Sequence, residues 1–177
     1  MSLAAISDPA LPGLAVISDQ SVFLPALAAA LETSGLTLAA PSSMRIVRIR
    51  YRRGQRAVLN VVFEFHPSAR PPAPASIWLF AGTKAKKLAT AGSPHGSVYE
   101  PVSDSLVCLF PADPYVPELA AFLADTGAYA GALAPGAAST PELARFRPGI
   151  GATFRWECLN GGAVYLKIQK DNDAALS

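Results

Sequence analysis

The sequence has few of the residues on which common catalytic and metal sites depend. It contains two cysteines, Cys108 and Cys158, and two histidines, His66 and His95. None of them stands in a C-x-x-C or H-x-x-x-H spacing, so the sequence does not indicate a zinc site. A G-x-S-x-G phrase, the signature of a serine-hydrolase nucleophile, is also missing. Both cysteines lie in apolar, strand-like runs, and we expect free thiols in a reducing cytoplasm rather than a disulfide.

Long apolar runs and a strong net charge are missing too. No uninterrupted apolar run reaches the ~18 residues that a transmembrane helix needs, and the N-terminus lacks the basic region of a secretory signal. We therefore expect a cytoplasmic protein that does not enter the membrane. The net charge of +2 is too small to indicate nucleic-acid binding by itself. What remains is a chain of 177 residues, 51% of them hydrophobic, which suffices for one ordinary domain or two small packed units.

One segment of the chain occurs twice, at a spacing of 92 residues. LPALAAALETSG, which begins at Leu24, aligns with VPELAAFLADTG, which begins at Val116. In both copies apolar residues recur at i, i+3 and i+7, a spacing that places them on one face of a helix. Each copy ends at a glycine, Gly35 or Gly127, which we interpret as a left-handed helix cap. The repeat predicts two short amphipathic helices.

A second repeated phrase is a basic turn that contains glycine. RYRRGQRAVLNVVFE begins at Arg50, and RFRPGIGATFRWE begins at Arg145. Runs rich in β-branched and aromatic residues surround both turns and predict strands, three of them after each helix. We therefore expect an α+β fold of two tandem helix-plus-antiparallel-meander units. Residues 1–18 would form an N-terminal extension, 19–98 a first αβββ unit and 99–177 a second.

Arginine is concentrated in the first turn and in the strand before it. The alternation in MRIVRIRY predicts Val47, Ile49 and Tyr51 on the strand face opposite to the arginines. A solvated strand face that discourages edge pairing would explain this cluster. Because no RNA-binding motif accompanies it, the sequence favours that explanation, and nucleic acid is not an expected partner. The alternative is an anion-binding patch, for which the candidates are Arg50, Arg52, Arg53 and Arg56.

The second turn has features of a phosphate-binding loop. RFRPGIG places Gly149 and Gly151 between two strands, where the absence of a Cβ lets backbone amides approach an anion. Lys167 lies downstream in the strand VYLKI. In protein kinases a glycine-rich hairpin covers ATP, and a lysine on the third strand contacts its phosphates. An ordinary Pro-Gly hairpin followed by a solvent-facing lysine explains the same residues, and the local pattern alone favours it.

A resemblance to a known family gives the second turn a functional interpretation. RFRPGIGATFRWECLNGGAVYLKIQKD is similar to the N-terminal portion of aminoglycoside-phosphotransferase-like proteins, a kinase-like superfamily. In many of these proteins R-Y-R-P-G-R-R-A opens a strand pair, and a lysine follows in V-Y-x-K. The resemblance implies that Lys167 contacts the nucleotide and that Gly149 and Gly151 are glycine-loop positions. The first copy of the turn matches as well, and its third strand, SIWLFAGTKAKKLA, would place Lys84 near the corresponding position.

The same resemblance implies an incomplete enzyme. A phosphotransferase of this kind needs a catalytic Asp, an Asn and a metal-binding Asp, whereas only IQKDNDAALS follows Lys167. We therefore expect the N-terminal cap and partial nucleotide-binding lobe of a bacterial kinase-like phosphotransferase, with no catalytic or metal-binding residue of its own. Its partner would be a C-terminal catalytic lobe, and ATP and Mg would bind only in the complete protein. The alternative is a stand-alone protein-interaction module of two pseudo-symmetric α+β units. A homo-oligomer is compatible with either.

Overall fold

A computed structural model of the chain describes residue 3 and residues 6–36, 39–65, 71–91, 95–127, 129, 140–159 and 161–170. The chain divides into two compact units, residues 1–110 and 111–177. Both combine helices with an antiparallel sheet, so the predicted α+β class is confirmed. In chain order the elements are α1 (Gly13–Ser18), α2 (Gln20–Thr33), β1 (Pro41–Arg52), β2 (Arg56–Phe65), β3 (Ala73–Phe80), α3 (Lys84–Thr90), β4 (Ser97–Glu100), β5 (Ser105–Leu109), α4 (Glu118–Ala124), β6 (Glu142–Arg147), β7 (Gly151–Glu157) and β8 (Ala163–Gln169).

The first unit is built on a five-stranded sheet in the order β1-β2-β3-β5-β4, with every neighbouring pair antiparallel. Alternate residues of the central strands bury one face of this sheet in the main core, together with side chains of α1 and α2. α1 lies within residues 1–18, the predicted extension, and its Leu14 and Ile17 are buried. These residues are therefore part of the core of the first unit.

The repeated helix of the first unit forms as the sequence predicted. In α2 the Asp19 side chain accepts a hydrogen bond from the backbone N–H of Ser21 and so caps the first turn. Phe23, Leu27 and Leu31 are buried along one face. The helix ends before Gly35, whose φ of +73° fits the expected left-handed cap. The same expectation for Gly127 was wrong, because Gly127 has no positive φ and is itself helical.

Strand details of the first unit differ from the sequence prediction in two places. A register shift between Ile46 and Arg48 turns Val47 outward, where it is 51% exposed, while Ile49 and Tyr51 remain against the core. The prediction that Val47 shares their face was wrong, because a bulge interrupts the two-residue alternation. The sequence also gave no indication of β4, which pairs with β5. The boundary predicted between residues 98 and 99 falls inside β4.

The second unit contains a three-stranded meander in the order β6-β7-β8. One face carries the apolar residues of the alternation and packs on α4 through Phe122. The ring centroid of Phe122 lies 4.9 Å from that of Phe154 and 6.2 Å from that of Trp156. Because side chains alternate along each strand, the polar residues of the meander share the opposite face. That face is the part of the unit in which the sequence predicted a ligand.

Candidate functional site

The polar face of the β6–β8 meander brings Lys167 close to other positive charges. Arg145 of β6 lies opposite Thr153 of β7, which in turn lies opposite Lys167 of β8. Residues opposed in this way project from the same face of a sheet. Arg145 and Lys167 are exposed and Thr153 is half-buried. In the described residues no carboxylate forms an ion pair with Arg145 or Lys167, whereas Arg155 on the same face pairs with Glu157 at 2.7 Å.

A small depression joins the predicted lysine to one of the predicted glycines. Its volume is about 20 Å³, and its lining includes Arg145, Arg147, Gly151, Thr153 and Lys167. A cavity of this size accommodates little more than one water molecule. A larger anion would therefore lie across the open face, where Arg145 and Lys167 could reach it. Lys167 and Gly151 thus line one feature, whereas Gly149 is not among its lining residues.

The fold itself explains why both turn positions are glycine. Gly151 has a φ of +147°, and a Cβ built on it would stand 2.0 Å from the carbonyl oxygen of Ile168, so β8 could not approach a larger residue. Gly149 has a φ of +66°, and its backbone N–H donates to Oδ2 of Asp113 at 2.6 Å. The N–H of Gly149 is therefore already bound to a carboxylate. The two glycines fit a tightly held hairpin, with or without an anion beside it.

Asp113 anchors this hairpin, and Asp8 anchors the first basic turn in the same manner. Asp113 accepts from the N–H groups of Gly149 and of Tyr115, the latter at 2.9 Å. Asp8 accepts from the N–H of Gly54 at 2.8 Å and from the N–H of Ala10 at 3.0 Å. In both units an aspartate accepts a hydrogen bond from the N–H two residues after it. The same aspartate also accepts one from the N–H of a glycine in a turn that is distant in the sequence. We call this arrangement the aspartate anchor.

The aspartate anchor was not predicted, although the sequence contains a signal for it. DPALPGLA begins at Asp8 and DPYVPELA begins at Asp113, so a D-P-x-x-P phrase precedes a helix in each unit. The alignment at 92 residues hides the match, because the two aspartates are 105 residues apart. When the chain is aligned with itself at a spacing of 105 residues, α4 of the second unit corresponds to α1 of the first unit and not to α2.

The anchor in the first unit also perturbs two titrating groups. The backbone N–H of Gly54, followed by the hydroxyl of Tyr51, holds the pKa of Asp8 below its ordinary value of 3.8. The Tyr51 hydroxyl donates to Oδ2 of Asp8 at 2.8 Å. Burial, followed by the hydrogen bond to Asp8 and then by the negative charge of Asp8, raises the pKa of Tyr51 above 10.0. Tyr51 therefore stays a protonated donor, and Asp8 stays a charged acceptor, at neutral pH.

The first unit has no lysine at the position that Lys167 occupies in the second. Val58 in the first unit corresponds to Thr153 in the second, because each is the fourth residue after the glycine of its turn. Thr153 lies opposite Lys167, whereas Val58 lies opposite Trp78. Trp78 is only 2% exposed. The expectation that Lys84 stands at this position was wrong, because β3 ends at Phe80 and Lys84 begins α3. The register therefore leaves the polar row of Arg145, Thr153 and Lys167 without a counterpart in the first unit.

The candidate anion patch lies on the other unit, at the turn between β1 and β2 and on the face of these strands opposite to the main core. Arg52 lies directly opposite Arg56, and Arg50 lies opposite Val58. Arg53 is in the turn, beside Asp8, whose pKa its charge helps to lower. Arg52, Arg53 and Arg56 are exposed and Arg50 is half-buried. Like charges directly opposite one another cost stability, so the pairing of Arg52 with Arg56 is locally unfavourable.

A buried carboxylate closes the β4–β5 hairpin and is fully occupied by local partners. Glu100 is 0% exposed and accepts from the N–H groups of Val102 and Ser103, each at 2.8 Å. It also bonds the Ser103 hydroxyl, which in turn contacts the hydroxyl of Ser105 at 2.8 Å. This network satisfies a turn that would otherwise leave buried donors unpaired.

The other chemically reactive residues do not gather into a site within the described ranges. His95 is exposed, Cys108 and Cys158 are free thiols, and His66, Asp171 and Asp173 lie outside the described residues. Among the residues that the structure describes, no three His, Cys, Asp or Glu side chains lie close enough to hold a metal ion.

No helix in the described part of the chain is long and apolar enough to cross a membrane. Comparison of the chain with protein-family models, with curated proteins and with solved structures found no match.

Proposed function

We propose that this chain is the N-terminal, non-catalytic part of a bacterial kinase-like phosphotransferase, and that its β6–β8 meander contacts the phosphates of ATP. The observation that carries the proposal is the cross-strand row of Arg145, Thr153 and Lys167 beside Gly151. The first unit serves as a cap. A C-terminal lobe, in the same chain or from an adjacent gene, supplies the acidic residues, and Mg binds with ATP between the lobes.

The order of elements supports this proposal. A glycine-bearing turn joins β6 to β7, and the lysine follows on β8, the third strand of an antiparallel meander. Kinase-like nucleotide lobes use a glycine-rich hairpin and a third-strand lysine in this order. The lysine and Gly151 line the same depression, so the two parts of the pattern are neighbours in space as well as in sequence.

The electrostatics of the face also support it. Arg145 and Lys167 point from the same sheet face, and no described carboxylate pairs with either. A phosphate placed across Thr153 would bridge the two cations and accept from the threonine hydroxyl. Exposed ion pairs of this kind are each worth ~0.2–1 kcal/mol. We therefore expect weak binding by this chain alone, with the remaining affinity supplied by the second lobe.

Amide-resolved NMR titration of the 177-residue chain with Mg-ATP tests the proposal. We expect the largest shifts at Thr153 and Lys167, and similar shifts with tripolyphosphate, because the contacts are made to phosphate. Lys167→Ala should raise the Kd up to about 5-fold, the factor that ~1 kcal/mol represents. Lys86→Ala is the matched control, because Lys86 is an exposed lysine of α3.

Shifts that spread evenly over Lys86 and Lys167, or a Kd that Lys167→Ala leaves unchanged, would remove Lys167 from the proposed site.

The proposal also requires a source for the C-terminal lobe. We expect either that the reading frame continues beyond Ser177 or that a neighbouring frame encodes a lobe with the acidic residues of a phosphotransferase. A gene with neither would contradict the proposal even if ATP bound.

A second candidate function is that of a protein-interaction module. One observation favours it: β8 lies at the edge of its sheet and leaves Val164 36% and Tyr165 63% exposed. Under this proposal the chain acts through strand pairing, and Lys167→Ala has no effect on its activity. A pull-down that recovers the same partner with wild-type chain and with Lys167→Ala would favour this function over the first.

A further inference from the structure

β8 is an edge strand, and half of its backbone hydrogen-bonding groups are not paired with a described strand. Two backbone bonds continue the β7–β8 ladder, Lys170 N–H to Ile150 O at 3.0 Å and Cys158 N–H to Gly162 O at 2.9 Å. Hydrogen-bonded pairs alternate in an antiparallel ladder. With the observed register, the even-numbered residues of β8 therefore direct their backbone groups to β7. The odd-numbered residues direct their backbone groups to the open edge, where no described strand pairs. These residues are Ala163, Tyr165, Lys167 and Gln169.

This edge has few of the features that usually prevent strand pairing. Edge strands β1 and β6 both carry register shifts, and β1 also carries the arginine cluster. β8 runs through seven residues without a register shift or a proline, and its only charge is Lys167. Val164, Leu166 and Ile168 project from one of its faces. A regular, largely apolar edge of this kind is a template for another strand.

We propose that the edge of β8 pairs antiparallel with β8 of a second copy of this chain, about a two-fold axis at Leu166. In this register each odd-numbered residue meets an odd-numbered residue of the partner. Tyr165 pairs with the partner's Lys167, and Ala163 pairs with the partner's Gln169. All seven residues of the strand are used, and the outward backbone groups form about eight hydrogen bonds. The result is a continuous six-stranded sheet.

The side chains are complementary in the same register. On the apolar face Leu166 meets itself, and Val164 meets the partner's Ile168. On the polar face the Tyr165 ring lies beside the ammonium group of the partner's Lys167, which is a favourable cation–π arrangement. A register that placed the two Lys167 residues opposite one another would bring like charges together. The second copy thereby contributes an aromatic ring to the cationic face of each meander. The inference does not depend on nucleotide binding.

Disulfide trapping tests the register directly. In a Cys108→Ala/Cys158→Ala background, Leu166→Cys should cross-link to a dimer under a mild oxidant. The central pair is not hydrogen-bonded, so its Cα atoms should lie about 4.5 Å apart, within the range that a disulfide spans. Val164→Cys is the control, because its two copies should be about 13 Å apart and remain unlinked. A mixture of Val164→Cys and Ile168→Cys chains should cross-link again.

Sedimentation analysis tests the interface without a covalent bond. The wild-type chain should dimerise with increasing concentration. Tyr165→Lys creates two like-charge pairs with the partner's Lys167 and should raise the dimer Kd about 10-fold. Tyr165→Lys/Lys167→Glu should restore it. Within one chain, position 165 lies opposite Arg155, so both variants place a lysine beside that arginine. Recovery of the dimer Kd in the double variant therefore reports on the contact between copies and not on the contact with Arg155.

A wild-type chain that stays monomeric at every concentration would overturn the proposal. So would equal cross-linking of Leu166→Cys and Val164→Cys, because random collisions produce that result. If the double variant binds no better than Tyr165→Lys, the proposed register is wrong.

Discussion

Replacement of Asp113 by alanine should destabilise the second unit strongly. The carboxylate is 0% exposed and accepts from the N–H groups of Gly149 and Tyr115 at 2.6 and 2.9 Å. Asp113→Ala leaves two donors without this acceptor, at ~1–3 kcal/mol each, or roughly 2–6 kcal/mol in total. A loss of this size is a large fraction of the ~5–15 kcal/mol by which domains are stable. Asp113→Asn keeps an acceptor oxygen and should cost less.

Urea unfolding followed by tryptophan fluorescence measures this loss. In a Trp78→Phe background Trp156 is the one remaining tryptophan, and it reports on the second unit, where it packs near Phe122. Glu118→Ala is the control, since Glu118 is an exposed residue of the first turn of α4 and should cost ~0.3–1 kcal/mol. If Asp113→Ala costs no more than Glu118→Ala, the aspartate anchor does not hold the hairpin.

Three further outcomes follow from the contacts. Gly151→Ala should cost more than ~2 kcal/mol of stability, because its Cβ would lie 2.0 Å from the carbonyl oxygen of Ile168. Gly161→Ala should cost about 1 kcal/mol, because Gly161 has a φ of +79° but open space around the position of a Cβ. Equal losses in urea unfolding would refute the contact at Gly151. Phe122→Ala should cost about 3–5 kcal/mol, and a smaller loss would mean that its ring contacts are not maintained. The pKa of Asp8 is lowered, so its stabilising effect is complete above pH 3.8 and is lost as the pH falls through the lower folded value. Asp8→Asn should remove this acid-dependent loss, and a titration of wild type with the same slope would contradict it.

Local patterns in the sequence carried enough information for the meander. AVYLKIQ predicted β8 with the bounds that the structure has, Ala163–Gln169, because alternation, the glycine turn and β-branched residues agree there. Val47 was assigned to the wrong face, because a bulge depends on the partner strand and leaves no local signal. β4 was missed, since its four residues are too few to show a period.

Of the contacts around the candidate site, only those between residues of one continuous phrase could be expected from the sequence. Lys167 and Gly151 belong to a continuous phrase of the sequence, and strand register brings them to one depression. Asp113 lies 36 residues before Gly149, and a contact across that separation depends on how the chain folds back. The D-P-x-x-P phrase marks both anchors, but only the structure connects each aspartate with its turn.

The ratio of two Mg-ATP dissociation constants tests the proposed function most directly. Lys167→Ala and Lys86→Ala each remove one exposed lysine, so they change the net charge equally and differ only in position. The account predicts a Kd for Lys167→Ala up to about 5-fold higher than that for Lys86→Ala. Equal constants, or no binding to either variant or to the wild-type chain, would contradict it.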